Sequence, residues 1–318
     1  MKTTSNASTT TSAESPSFVR VDELLAGGLT RSFEFFPPKS DEESAVLTRT
    51  LDELDVLSPS FVSVTYRGGC ESRQRTFDLV TEIQHAGHVS AMAHLICVGH
   101  RRDEMRALLH DYRAHGVENV MALGGDVPDD PSLVASDFTY ALELVELARE
   151  VGGFCVGVGA HPSGHPRSSD RATDRRHLAR KLVAADFAVT QFFFAAREWV
   201  SLVDELADLG VEKPVLPGVM PVTTLSGIAR MSEMGASVPS DLVARLGAAH
   251  EVGGPPAVRR EGIGAAIELC QELLAAGVAG LHFYTLNRST ATREIHAALF
   301  PPTPPVVVEP GEGGSASS

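Results

Sequence analysis

Apolar and polar positions alternate in short runs along most of the chain, and each run leads into a longer stretch where apolar residues return every three or four positions. Period two marks a strand and period 3.6 a helix. The runs that read as strands are RSFEFF (31–36), FVSVTY (61–66), VSAMAHLIC (89–97), NVMALGG (119–125), FCVGVGAH (154–161), FAVTQFFF (187–194), PVLPGVMP (214–221) and GLHFYTLN (280–287). Between them lie helical patterns such as DEESAVLTRTLDELDVL (41–57), RRDEMRALLHDYRAHG (101–116) and DFTYALELVELAREVG (137–152), several closing at Gly, where a left-handed cap costs least. Strict alternation implies parallel strands joined by helical crossovers. Eight such units predict a single-domain (β/α)8 barrel. The stretch 223–276 is longer than one crossover and holds about three helical segments, split at MGASVPSD and EVGGPP, so the seventh unit is expected to be elaborated. The barrel is expected over residues 20–301, between a disordered polar leader (1–19) and a disordered tail (302–318) rich in Pro, Gly and Ser.

Composition narrows the class. A chain of 318 residues, 43% hydrophobic with mean hydropathy +0.01, has ample core for one large α/β domain. No apolar run reaches the about 18 to 20 residues of a membrane helix, and MKTTSNASTTTSAESPS lacks the apolar core of a secretory signal, so a cytoplasmic protein is expected. The four cysteines, Cys70, Cys97, Cys155 and Cys270, stand far apart without a CxxC pair, which suggests reduced thiols. A net charge of -14 disfavours nucleic acid and anionic membrane as partners. An anionic substrate would need a local cluster of Arg and Lys.

In such a barrel the active site lies at the C-terminal ends of the strands. Those ends carry Glu34, Thr65, His94, Asp126, His161, Gln191 and the pair Asn287 and Arg288. Glu34 stands amid Phe33, Phe35 and Phe36, and alternation turns it away from Phe33 and Phe35. It could cap the rim or pair with Arg288, but an acid inside a strand is costly unless it is hydrogen bonded, which favours a working role. Asp126 in GGDVPDD reads equally as a turn residue or a site residue. His94 and His161, taken singly, read as satisfied core or rim histidines. Gln191 among apolar neighbours should find a partner in protein or ligand. His161 and His165 have HxxxH spacing, but Pro162 and Pro166 argue against the helix a metal pair would need, so no metal is expected. The glycines of GVGAHPSG lack the spacing of a dinucleotide fingerprint.

The motifs SFEFFPPK, FVSVTY with SRQRT, AHLIC, GGDVP, the two HP pairs, TQFFF, PVLPGVMPV and HFYTLNR occur in the order and spacing of the methylenetetrahydrofolate reductase family, which the chain resembles from about residue 20 to residue 300. The resemblance implies a (β/α)8 barrel that reduces 5,10-methylenetetrahydrofolate to 5-methyltetrahydrofolate with hydride from NADH or NADPH, usually through bound FAD. It implies that Glu34 is the general acid that assists opening of the imidazolidine ring, kept protonated by apolar surroundings. It implies that Asp126 and Gln191 hydrogen-bond the pterin, that Thr65 and His94 lie near flavin and folate, and that Arg288 serves the glutamate tail or another part of the ligand. Asp174, Arg180 and Lys181 match the flavin-contacting side of the fifth helix.

Three departures from the family pattern fall together: Gly124 stands where the family usually has Arg, His161 replaces a Tyr and His177 replaces an Asn; farther on, Gly227 and Met231 stand where the family commonly has a Gln and an aromatic residue that touch folate and nicotinamide. Each lost charge-assisted donor is worth about 1.5 to 3 kcal/mol. FAD is therefore an uncertain cofactor, and direct hydride transfer from NADH is the expected route, with the FAD route as its alternative. A non-catalytic folate-binding barrel is a further alternative. An unrelated Schiff-base aldolase would need a Lys at a strand end, and none of the eight strands carries one.

Overall fold

The computed structural model describes residues 19–66, 70–125 and 136–301. All but Val19 of the expected leader, and the whole of the expected tail, lie outside these residues, as does Asp126. Among the described residues the elements are α1 (Val21–Gly27), β1 (Thr30–Phe35), α2 (Asp41–Asp55), β2 (Phe61–Val64), α3 (Cys70–Ala86), β3 (Ser90–Ile96), α4 (Arg102–Ala114) and β4 (Asn119–Leu123). They continue as α5 (Ala141–Val151), β5 (Cys155–Ala160), α6 (Arg171–Ala184), β6 (Phe187–Thr190), α7 (Ala196–Asp208), β7 (Val215–Leu216), β8 (Gly218–Val219), α8 (Leu225–Glu233), α9 (Ser240–Ala275), β9 (Gly280–Tyr284) and α10 (Thr290–Leu299).

All neighbouring strands are parallel, in the order β7-β6-β5-β4-β3-β2-β1-β9-β8, which is a (β/α)8 barrel whose seventh strand is broken in two. The break falls at Pro217, which has no N–H for the ladder. Val215 and Leu216 pair with β6, while Gly218 and Val219 pair with β9, so one short segment bridges both sides. Tyr284 crosses this seam, its hydroxyl donating to the Thr190 carbonyl at 2.7 Å. A Cβ on Gly218 would collide with that same carbonyl and lie 2.5 Å from the Tyr284 ring, so the crossing requires glycine.

Two apolar layers follow from the strand alternation. Phe33, Phe35, Val62, Val64, Val156 and Val158 face the helices, while Phe61, Met92, Met121, Cys155, Phe187 and Leu216 fill the lumen. α1 stops the N-terminal end of that lumen with Val21, Leu24 and Leu25, and Asn119 Oδ1 accepts the Val21 N–H at 2.8 Å. No apolar periodicity foretells so short a helix.

The elaborated seventh unit is as expected in outline. α8 begins at the cap Thr224, whose hydroxyl accepts from Gly227 N, and α9 is two helices merged across Gly253 and Gly254 (φ 61, ψ -157), followed by Pro255 and Pro256. A separate cluster of Phe192, Met220, Met231, Leu242, Leu246 and Val258 seats this unit beside the C-terminal mouth of the barrel. No helix among the described residues is long and apolar enough to cross a membrane.

Candidate functional site

Inward-facing positions of β1 are the even ones, because Phe33 and Phe35 belong to the outer layer. Ser32 and Glu34 therefore share the lumen with His94 from β3 and with His282 and Tyr284 from β9. Register places Ser32 opposite His282 and Glu34 opposite Tyr284. Above them opens a cleft of about 350 Å³ lined by Glu34, Thr65, Tyr66, His94, His161, Gln191, Met220, Tyr284 and Leu286, among others.

Glu34 Oε2 lies 3.4 Å from His282 Nε2 and 3.5 Å from His94 Nε2. This corrects the expectation of apolar surroundings: the carboxyl stands between two imidazoles, and neither neighbour is Arg288. His282 is fully buried, and its Nδ1 lies 2.8 Å from Ser32 Oγ, which also reaches the Leu281 carbonyl at 3.5 Å. The serine hydroxyl can donate to the ring or to the carbonyl, so either neutral tautomer of His282 is satisfied. A proton can thus reside on Glu34 or on His282 Nε2 without leaving a buried polar atom orphaned. Burial is the main cause holding the His94 pKa below its ordinary value, with His282 adding to it and Glu34 opposing it, so His94 is neutral at pH 7.

The remaining predicted residues divide between the cleft and its flank. Thr65 lines the cleft, and its Oγ1 is buried with no hydrogen-bond partner among the described residues. Gln191 also lines it, with Nε2 donating to Met234 O at 2.8 Å and Oε1 accepting from Phe192 N at 3.0 Å. The His161 ring packs edge-on against His165 at 4.6 Å between centroids, and burial, then His165 and Lys181, push its pKa down to about 4. Arg288 is exposed beyond β9 and is not among the cleft-lining residues, although its loop is firmly held. Asn287, two residues past Thr285, accepts from Phe36 N and donates to Phe36 O, and both Leu286 and Asn287 take positive φ near 50°.

On the flank, Lys181 Nζ donates to Gly159 O at 2.9 Å, and burial lowers its pKa. Asp174 is buried, and its carboxylate accepts from Arg175 at 2.7 Å and from Ser168 at 3.3 Å. Arg175 is 3% exposed and also bonds Glu205 and the carbonyls of His161 and Pro162, so it fastens the loop after β5. His177 and Arg180 are exposed on α6, and His177 stacks on Tyr140. Arg167 donates to Gly125 O at 2.9 Å, and its guanidinium lies 3.8 Å from where a Cβ of Gly124 would be.

Sequence reasoning passed over His282, Ser32 and Arg175. For the first two a signal was present, since the same alternation that turns Glu34 inward does so for both. Among the described residues the group best spaced for a metal, Asp22, Cys155 and Asp186, sits at the opposite end of the barrel. There Arg20 and Arg149 occupy the two carboxylates at 2.9 and 2.8 Å, and burial raises the thiol pKa far above its ordinary value.

Residues 20–299 match the family profile described as methylenetetrahydrofolate reductase. The chain belongs to the methylenetetrahydrofolate reductase family. Among its relatives, a Salmonella typhimurium protein named 5,10-methylenetetrahydrofolate reductase is 34% identical over 269 residues, covering 83% of this chain and 88% of the relative. One of the same name from Pectobacterium carotovorum subsp. carotovorum is 32% identical over 267 residues, with the same shares. A Zea mays protein named methylenetetrahydrofolate reductase (NADH) 1 is 32% identical over 285 residues, covering 84% of this chain and 48% of the relative. A solved structure from Clostridium thermocellum, described as an uncharacterized protein that binds two copies of 5-methyl-5,6,7,8-tetrahydrofolic acid, superposes with TM-score 0.64 at 12% identity, covering 87% of this chain and 96% of that one. That likeness speaks to the barrel alone. The methylenetetrahydrofolate reductase assignment makes the chain an oxidoreductase acting in folate reduction.

Proposed function

We propose that the protein reduces 5,10-methylenetetrahydrofolate to 5-methyltetrahydrofolate with hydride taken directly from NADH, and that Glu34 is the general acid. The carrying observation is the Glu34 carboxyl at the floor of the cleft, backed by the buried pair His282 and Ser32. Glu34 gives its proton to the folate nitrogen as the imidazolidine C–N bond breaks, leaving a 5-iminium cation. Hydride then adds to the iminium carbon and forms the methyl group, while NADH becomes NAD+. Glu34 regains its proton from solvent entering the cleft, while His282 Nε2–H, its ring held by the Ser32 hydroxyl at Nδ1, donates to the carboxylate in the interval. Gln191 reads the pterin after exchanging its bond to Met234 O for one to the ligand, and Asp126 is a second pterin partner. The names of plant relatives that specify NADH support the choice of donor, with NADPH as the alternative.

Support for direct transfer comes from the flank. FAD, when bound, would supply an intermediate hydride carrier. Asp174 is already held by Arg175 and Ser168, Lys181 by Gly159 O, and position 124 offers no side chain, so these residues fit a flavin poorly. Arg167, which donates to Gly125 O, and Arg180, exposed on α6, are the cations that favour the FAD route. The Clostridium thermocellum neighbour, described only as binding 5-methyltetrahydrofolate, motivates the non-catalytic alternative.

The deciding experiment is anaerobic NADH oxidation by protein stripped of flavin, given methylenetetrahydrofolate, before and after addition of FAD. Turnover without FAD is the expected result. Turnover only with FAD would replace direct transfer by the flavin route, and no turnover in either case would leave a folate-binding barrel.

A further inference from the structure

The reaction above requires the nicotinamide ring of NADH over the floor of the cleft and assigns nothing to the adenosine diphosphate at its other end. α6 is placed to receive that end. It follows β5, so its first turns stand at the C-terminal mouth, and Lys181 ties it to the carbonyl of Gly159, a residue of the cleft wall. In a chain of net charge -14 this helix carries five Arg and Lys against one acid. Arg171 and Arg175 are held by Glu205, and Arg176 donates to Thr173 Oγ1. Arg180 is exposed, with no hydrogen bond or ion pair among the described residues.

His177 lies three residues before Arg180 and one turn before Lys181, so the three share a side of the helix and His177 is the nearest of them to the mouth. Its ring runs nearly parallel to that of Tyr140, the residue before α5, with centroids 6.4 Å apart and planes 16° from parallel. Atoms of rings in face contact lie about 3.5 to 4 Å apart, so neither ring covers the other's faces. Tyr140 is 66% exposed, yet its backbone is pinned, its N–H donating to Glu143 Oε2 at 2.8 Å. Uncovered aromatic faces beside an unpaired guanidinium suit a planar base that carries phosphate: the base stacks, and the cation takes the anion through charge-assisted hydrogen bonds.

We infer that Tyr140 and His177 hold the adenine of NADH by stacking and that Arg180 takes its pyrophosphate, so that the dinucleotide runs from the α5–α6 rim along α6 to the cleft. The inference deepens the direct-transfer reading and rests on it. Adenosine diphosphate is common to NADH and FAD, and the choice of NADH follows from the poor fit of Asp174, Lys181 and position 124 to a flavin.

The test is calorimetric titration of NADH, ADP-ribose and FAD into flavin-stripped wild type, Tyr140→Ala, Tyr140→Phe and Arg180→Met, with 5-methyltetrahydrofolate as the control ligand. Tyr140→Ala and Arg180→Met are expected to bind NADH and ADP-ribose about tenfold more weakly, through loss of a stacked face or of a charged partner. Tyr140→Phe, which keeps the ring face, is expected to match wild type. Affinity for 5-methyltetrahydrofolate and the melting temperature are expected unchanged in all three variants. Wild-type affinity for NADH in Tyr140→Ala would overturn the inference and leave the reaction standing, and weaker FAD binding with NADH unchanged would do the same by giving the rim to the flavin. A wild type that binds 5-methyltetrahydrofolate but no NADH would instead overturn direct transfer, and this site with it.

Discussion

Glu34 shares its corner of the lumen with two imidazoles, and the pair treats it differently. His282 is hydrogen bonded on both ring nitrogens, whereas His94 only approaches at 3.5 Å without hydrogen-bond geometry. His282 is therefore the ring expected to hold the Glu34 carboxylate, and Glu34→Gln, which keeps shape but cannot release a proton, should lower kcat by two to four powers of ten, roughly the usual span of acid catalysis. Affinity for 5-methyltetrahydrofolate should change little, and unchanged turnover would end the acid role. At this scale the sequence was legible where alternation isolated a single charge, as at Glu34. It was less so at His282, because GLHFYTLN reads as an apolar strand in which one His resembles ordinary filling. Arg175 was hidden for a different reason: its four acceptors come from α6 itself, the loop after β5 and, through Glu205, α7, which no spacing within α6 can reveal.

Among the elements, the seventh strand shows how one residue redirects a whole unit. Pro217 was visible inside PVLPGVMP, and a proline in a run argues for a break, but the run was apolar enough to read as one strand. What the break makes possible is legible only in three dimensions: Gly218 N donates to Thr190 Oγ1 at 2.9 Å, and Tyr284 passes over the glycine to Thr190 O. Gly218→Ala is expected to destabilise the fold by about 1 to 3 kcal/mol, the range of overpacked cores, read from urea unfolding. Because Tyr284 also lines the cleft, the variant should weaken ligand binding as well. Side-chain caps hold the starts of two helices. Ser40 accepts from Glu43 N, Asp170 accepts from Thr173 N, and the negative charges following Ser40 suit the positive end of α2.

Across the whole molecule the buried histidines set the response to acid. His94, His100, His161 and His296 all have pKa values below the ordinary one, with burial as the largest cause in each. The unfolded chain takes up protons at these residues from about pH 6.5 downward while the folded chain resists, so stability is full above that pH and falls as pH drops. For His161, held near 4, the loss between pH 6.5 and 4 amounts to at most about 3 kcal/mol. Urea midpoints should therefore drop from pH 7.5 to pH 5, and His161→Gln should flatten that drop; an equally steep curve in the variant would contradict the burial of this ring. The barrel as a whole was readable because eight βα periods repeat, whereas the stopper helix α1, a single short element with no repeat behind it, was not.

A ring of paired strands resists opening only as well as its weakest clasp, and here the clasp is the segment Val215 to Val219, two residues paired to one side and two to the other. Amide hydrogens of Leu216 and Val219 should exchange with solvent sooner than those of Val120 or Val156, which sit in continuous ladders. Met220 and Tyr284, on either side of that clasp, both line the cleft, so a bound ligand should slow exchange at the clasp and, through it, around the barrel. Occupancy of a small pocket would then be felt as tightness of the entire cylinder.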